Sequence, residues 1–376
     1  VANPKAATLT TAALNRALLA RQGLLERIDA PLVEAVEAVG ALQAQQWNAV
    51  PVALASRVEG FAPEDLFAGL DAGDLVIGTL LRGTLHLVSA REHPAYAEVA
   101  DAPRAPFWRR TDAEPSAEIG DLLDGLLAYA GEAPRSGEEI AAFAETWVAG
   151  HPDAFDPGEL EHQRRYKWRP FLRWSGFVRA PADGGFGRRA PALLRAAPKL
   201  PRGELDEVVR RHLRAFGPAG PEDVASWIGW RTPPVRKALD GLGLDRFEDE
   251  EGRALYDLPG APRPEPETPA PPRLLAAFDS ALLAYASRRR GRIVPERHRD
   301  AVYERRNLRV KPTYLVDGLV AGTWDIEVKR RQATVTLRPL ERLSAATRRE
   351  LADEAERVAR AVHPEAKAHA VAVARS

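Results

Sequence analysis

Pro221-Glu222-Asp223-Val224-Ala225-Ser226-Trp227-Ile228-Gly229 reads as a short helix closed by a glycine. Thr232-Pro233-Pro234-Val235 opens a second helix that runs to Leu242. A short helix, a Gly turn and another helix form a helix-turn-helix signal. Phe247 to Leu258 follows as a strand pair, the wing of such a module. With the helix expected before it, residues 203–258 read as one winged helix.

The same order recurs on the N-terminal side. Thr10 or Thr11 caps a helix through Leu14, Leu18 and Leu19. Pro31 suits the start of a second helix, with Leu32, Val36, Val39 and Leu42 at helical spacing. Pro63-Glu64-Asp65 opens a third helix to about Leu70. Strand-like runs Leu75–Leu80 and Thr84–Val88 then turn near Arg82-Gly83, so residues 1–98 read as another winged helix. Residues 116–198 give helices near 117–130 and 137–149, then a strand at Phe177-Val178-Arg179 and a turn at 183–187. No residue-level repeat accompanies this repetition of order.

Seven prolines in 259–272 make that stretch an extended connector. The last unit, 273–376, is mixed α/β: strands between Thr313 and Leu337, an amphipathic helix from Ala345 to about Val362, and a final strand from Ala368 to Val373. The expected class is α+β, mainly helical, with three tandem winged-helix modules and a C-terminal α/β part carrying a β-hairpin.

Composition narrows the chemistry. The 376 residues contain no Cys, which excludes disulfides, thiolate zinc sites and thiol nucleophiles. No apolar run is long enough to span a membrane and no secretory signal is visible, so no membrane partner and a cytoplasmic location are expected. There is no phosphate-binding Gly loop, dinucleotide fingerprint, HExxH or nucleophile elbow, and the eight His lack metal-ligand spacing. Neither cofactor nor metal is expected. Net charge is zero, so charge distribution has to indicate any nucleic-acid partner.

Two blocks do so. Residues 155–200 carry ten Lys/Arg against four Asp/Glu, including Arg164, Arg165, Lys167 and Arg169 interleaved with Tyr166 and Trp168. Residues 288–311 carry ten against three, including Arg288-Arg289-Arg290. Lys329-Arg330-Arg331 adds a basic turn between two strand-like runs, Val320–Val328 and Ala333–Leu337. The competing reading of each is an ordinary solvated surface, with the aromatics in a core.

The informative polar cluster is Leu42-Gln43-Ala44-Gln45-Gln46-Trp47-Asn48. In a continuing helix, Gln43 and Gln45 would point about 200° apart. They converge only if the helix ends or distorts, and Pro51 favours an end nearby. From spacing alone, a polar helix terminus satisfying its own carbonyls is the stronger reading.

Four motifs shift that balance. Gln43-Ala44-Gln45 followed by Gln46-Trp47 resembles the Gln-apolar-Gln motif of the AlkZ-like bacterial DNA glycosylases. Leu81-Arg82-Gly83-Thr84-Leu85-His86-Leu87-Val88 resembles that family's Arg-x-Thr-x-His-Leu wing. Phe278-Asp279-Ser280-Ala281-Leu282-Leu283 resembles its Asp-containing segment, and Leu315 to Trp324 is similar to its late hairpin. The related YcaQ-like branch carries Asp where this chain has Gln45.

The resemblance implies winged helices in a C shape around double-stranded DNA and excision of N7-alkylguanine. It also brings in the unhooking of azinomycin-type interstrand crosslinks, known for a family member. It makes Gln43 and Gln45 the catalytic pair, with Trp47, Arg82, Thr84 and His86 supporting, and implies a late hairpin near DNA. A monomer is expected. No Lys is needed, so a monofunctional hydrolase leaving an abasic site is expected. The alternatives are a winged-helix transcription regulator, which would be a dimer on palindromic sites, and a protein-binding scaffold.

Overall fold

The structure, a computed structural model, describes residues 7–103, 117–169, 171–198, 203–304 and 306–374. Lys199 and Arg305, counted in the two basic blocks, lie outside the described residues, as do the edges of the expected modules at 1–6, 116 and 375–376. The chain forms two compact units: Val1–Leu66 with Asp206–Ser376, and Phe67–Leu205.

The first unit begins with β1 (Ala7–Leu9) and α1 (Thr11–Arg21), whose N-cap Thr10 accepts from Ala13 N. Next is α2 (Leu32–Val39), entered from Pro31. It stops three residues short of the expected Leu42 because Gly40, at φ +79°, turns the chain. A side chain there would sit 3.1 Å from the Ala215 Cβ as well as adopt a left-handed backbone. The two-residue strand β2 (Leu42–Gln43) follows, then α3 (Ala49–Arg57), which the sequence reading passed over. Pro51 ends nothing: it lies in the first turn of α3, where a missing N–H costs no helical bond. The helix α4 (Pro63–Ala72) leads into the second unit.

That unit holds the antiparallel pair β3 (Leu75–Thr79) and β4 (Leu85–Ser89), turning at Arg82-Gly83 as expected. The helices α5 (His93–Asp101), α6 (Ile119–Glu132), α7 (Gly137–Gly150) and α8 (Pro157–Arg165) follow, then β5 (Phe177–Ala180) and β6 (Leu193–Ala196). The order across this sheet is β4-β3-β5-β6. Its helical core gathers Leu122, Leu126, Ile140, Phe155, Trp168 and Phe171. Trp168 is therefore a core residue, not a free stacking platform.

Back in the first unit come α9 (Leu205–Phe216), α10 (Pro221–Ile228) and α11 (Thr232–Gly241). Gly229, at φ +92°, makes the turn between the last two. The hairpin of β7 (Asp245–Asp249) and β8 (Ala254–Asp257) follows. Three helices and a hairpin are the element order read from the sequence. The proline-rich stretch forms no regular element before β9 (Arg273–Leu275). Short helices α12 (Ser280–Leu283) and α13 (Arg299–Val302) precede the small hairpin β10 (Tyr303–Glu304) and β11 (Arg309–Val310).

Finally β12 (Thr313–Val316), β13 (Leu319–Lys329), β14 (Gln332–Pro339), α14 (Ala345–Val362) and β15 (Ala368–Val373) complete a sheet of order β15-β14-β13-β12-β9. The β12–β13 turn is clamped at two residues: Asn15 Nδ2 donates to the Gly318 carbonyl at 2.9 Å, and Arg16 pairs with Asp317 at 2.5 Å. No helix among the described residues is long and apolar enough to cross a membrane.

Candidate active site

The Gln-bearing segment is not helical: Leu42–Gln43 is a short strand and Gln45-Gln46 a bend, which changes the geometry from the helical expectation. Successive side chains in extended backbone point to opposite sides. The burial follows that alternation: Leu42 and Ala44 are buried, Gln43 is half-buried and Gln45 exposed. Leu42 and Ala44, before and between the two glutamines, are buried and hold the segment down. The Oε1 of Gln43 is buried and accepts no hydrogen bond from the protein. An amide oxygen left in that state carries a desolvation penalty of about 1–3 kcal/mol, which an incoming donor would relieve. Trp47 is buried one turn on, and Gln46 and Asn48 are exposed.

The segment is fixed from behind. Ser280 Oγ donates to the carbonyl of Ala41 at 3.0 Å, two residues before Gln43. The amide of Gln22 donates to the carbonyls of Val39 and Ala215, each at 2.9 Å. Arg57 donates to the Gln22 Oε1 at 3.3 Å and pairs at two points with Asp279, at 2.6 and 3.0 Å. Asp279 caps α12 by accepting from Ala281 N at 3.0 Å. This places the Asp-containing motif: it anchors the strand rather than facing outward. Arg57 and Gln22 were missed in the sequence, although a charged residue ending the apolar run Val50–Ala55 was a usable signal.

No Asp or Glu occurs between Glu37 and Glu59, so the local segment supplies no carboxylate acid or base. Among the described residues no group of His, Asp and Glu is arranged to hold a metal. The local functional groups are neutral amides, able to accept from a water or face positive charge and to donate through their N–H.

Arg82, Thr84 and His86 belong to the second unit. Arg82 is exposed in a left-handed turn at φ +53°, and half-buried Thr84 donates through Oγ1 to the Leu81 carbonyl at 3.2 Å. His86 is buried, its Nδ1 donating to the Thr84 carbonyl at 2.9 Å. Burial, reinforced by the Arg82 charge and opposed by that hydrogen bond, lowers its pKa to about 3. It is neutral at pH 7 and cannot serve there as an acid in its cationic form.

The basic residues divide by environment. Arg164, in the last turn of α8, is exposed but paired with Glu145 at 2.8 Å; Arg165 pairs with Glu161; Lys167 and Arg169 are exposed. Hydrogen bonding from Arg164, with burial opposing and Trp168 adding to it, holds the Glu145 carboxyl below its ordinary range. Ser287–Arg292 is a tight helical turn. Within it Arg288 is exposed and paired with Glu222. Arg289 is only 8% exposed, held by Glu222 and Asp223. Arg290 donates to the Tyr285 carbonyl at 3.1 Å. Arg330 and Arg331 form the β13–β14 turn, both exposed and both left-handed at φ +48° and +63°.

The helices, hairpins and mixed C-terminal sheet match in fold the solved Streptomyces sahachiroi DNA glycosylase AlkZ, at TM-score 0.73 and 21% identity, covering 98% of this chain and 100% of that one. The fold class so indicated is α+β. Residues 36–361 match the family model "DNA glycosylase AlkZ-like", and the chain belongs to that family of enzymes that cleave N-glycosidic bonds. It is also similar to an interstrand DNA cross-link repair glycosylase of Streptomyces sahachiroi, 27% identical over 336 residues, 81% of this chain and 85% of that one. Nothing in these likenesses supports the regulator alternative.

Proposed function

We propose that this enzyme is a monofunctional glycosylase that hydrolyses the N-glycosidic bond of N7-alkylguanine in double-stranded DNA, leaves an abasic site and unhooks interstrand crosslinks made through such adducts. The carrying observation is Gln43, whose buried amide oxygen has no hydrogen-bond partner, with Gln45 exposed two residues on. The crosslink substrate follows the printed name of the Streptomyces relative.

The chemistry suits neutral amides. Alkylation at N7 makes the base cationic, so it departs without protonation by a general acid. What remains is to stabilise the oxocarbenium-like sugar and to place a water. A fixed amide dipole does the first with little reorganisation and holds the second by accepting its hydrogen bond. Neither Gln is a strong base, so the reaction is confined to activated leaving groups.

DNA contact is assigned to the winged-helix modules and to surface cations, all exposed except the half-buried Arg290. Arg164, Arg165, Lys167 and Arg169 form one group, Arg288 and Arg290 another, and Lys329, Arg330 and Arg331 a third. The ion pairs of Arg164, Arg165 and Arg288 are exposed, so exchange of a carboxylate for a phosphate is inexpensive. Arg289 takes a structural role instead. Left-handed arginines at the β13–β14 turn favour a functional reading, because Asn or Gly would occupy that turn with less strain. The enzyme acts as a monomer on a lesion that has no palindrome.

The test is release of N7-methylguanine from alkylated duplex DNA by the purified chain. Free base with an intact abasic strand supports the reading; no release contradicts it.

A further inference from the structure

Leu308 is 83% exposed, more than any other large apolar side chain among the described residues. It stands at the turn of the β10–β11 hairpin with Arg306, Asn307 and Arg309, all exposed. Its φ is +50°, a backbone state a leucine adopts only at a cost. A residue that gives up both burial and backbone comfort calls for a partner outside the chain.

The base of this hairpin is firm. Tyr303 Oη donates to the Leu282 carbonyl at 2.8 Å, Lys311 N to the Val302 carbonyl at 3.0 Å, and Lys311 pairs with Glu304 at 3.1 Å. The Arg290 guanidinium lies over the Tyr303 ring at 4.9 Å. Phe278 N donates to the Val310 carbonyl at 3.2 Å. Phe278 adjoins Asp279 and Ser280, and Ser280 holds Ala41 beside the Gln43 strand. The hairpin root and the amide pair therefore share one anchor. A hollow of about 410 Å³ under the tip is walled by Arg290, Arg299, Tyr303, Leu308 and Arg309.

We propose that Leu308 is an apolar wedge that enters the base stack of the damaged duplex while Arg306 and Arg309 hold the flanking phosphates. The inference rests on the glycosylase reading and adds a residue to it. Apolar side chains inserted at a base step unstack it, and cationic neighbours supply the backbone attraction. A wedge tied to the strand of Gln43 keeps the step open where the amides must reach the sugar–base bond.

The experiment uses the full chain, its L308A and L308M variants, and a duplex carrying 2-aminopurine beside a tetrahydrofuran abasic analogue. Excision is followed in parallel on N7-methylguanine in duplex and in single-stranded DNA. The wild type and L308M brighten the 2-aminopurine on binding. L308A loses that signal and excises from duplex about tenfold to hundredfold more slowly, with single-strand excision unchanged. Wild-type fluorescence and duplex rate in L308A overturn the wedge, as does an equal loss on both substrates. A wild type that releases no base refutes the glycosylase reading instead, while the fluorescence comparison still judges Leu308.

Discussion

Arg57 and Asp279 meet at two points, 2.6 and 3.0 Å apart, with neither side chain exposed. They are 222 residues apart in the chain, so the pair closes the N-terminal Gln strand onto the C-terminal part of the same unit. Removing one partner leaves a buried charge unpaired, at about 3–5 kcal/mol. Arg57→Met and Asp279→Asn should each lower the urea midpoint markedly, and Arg57→Met with Asp279→Leu should recover part of the loss. Single variants as stable as the wild type would refute the anchor.

Trp168 should behave as core. Trp168→Ala is expected to cost about 3–5 kcal/mol, as large-to-small aromatic changes do. Trp168→Phe loses the 2.7 Å hydrogen bond to Glu145 and less packing, and should keep DNA affinity. Urea melts and gel shifts check the two halves; a stable Trp168→Ala with weakened DNA binding would return Trp168 to the interface.

Acid should weaken the second unit through two histidines. Burial lowers the His86 pKa to about 3 and the His93 pKa to about 4, against 6.5 when unfolded. The unfolded chain takes up these protons first. Stability is therefore flat above about pH 6.5 and falls below it, by up to about 1.4 kcal/mol per pH unit for each histidine, until the folded pKa is reached. Thermal melts from pH 7.5 to 5 should show the slope, and His86→Asn should reduce it. A pH-independent Tm over that range would contradict the buried neutral rings.

Strain and function should trade at the β13–β14 turn. Replacing Arg330-Arg331 by Asn-Gly relieves two left-handed arginines and should stabilise the chain by about 1 kcal/mol. It removes two cations, so DNA binding should weaken and its salt dependence flatten. Melting temperature and affinity at two salt concentrations read both effects; an unchanged salt slope would remove this turn from the interface.

Much of the fold was legible because its signals are local. Thr10, Pro63 and Gly229 each fix a boundary through their own backbone chemistry. The α2 boundary was misjudged because Leu42 continues the apolar spacing past Gly40, whose left-handed turn overrides it. The α3 helix was missed because Pro51 reads as a breaker unless it falls in a first turn. At the Gln segment, a helix end was expected, and the two-residue strand followed by a bend is a backbone that spacing could not reveal. The partners of Arg57, Gln22 and Arg289 could not be read because they lie far along the sequence, although the charge of Arg57 after an apolar run was itself a signal.

The most direct measurement is the single-turnover rate of N7-methylguanine release from duplex DNA by wild type, Gln43→Ala and Gln45→Ala, with folding checked by circular dichroism. Loss of a preorganised dipole should slow each variant by about 100-fold while DNA affinity holds. Wild-type rates in both folded variants would contradict the account.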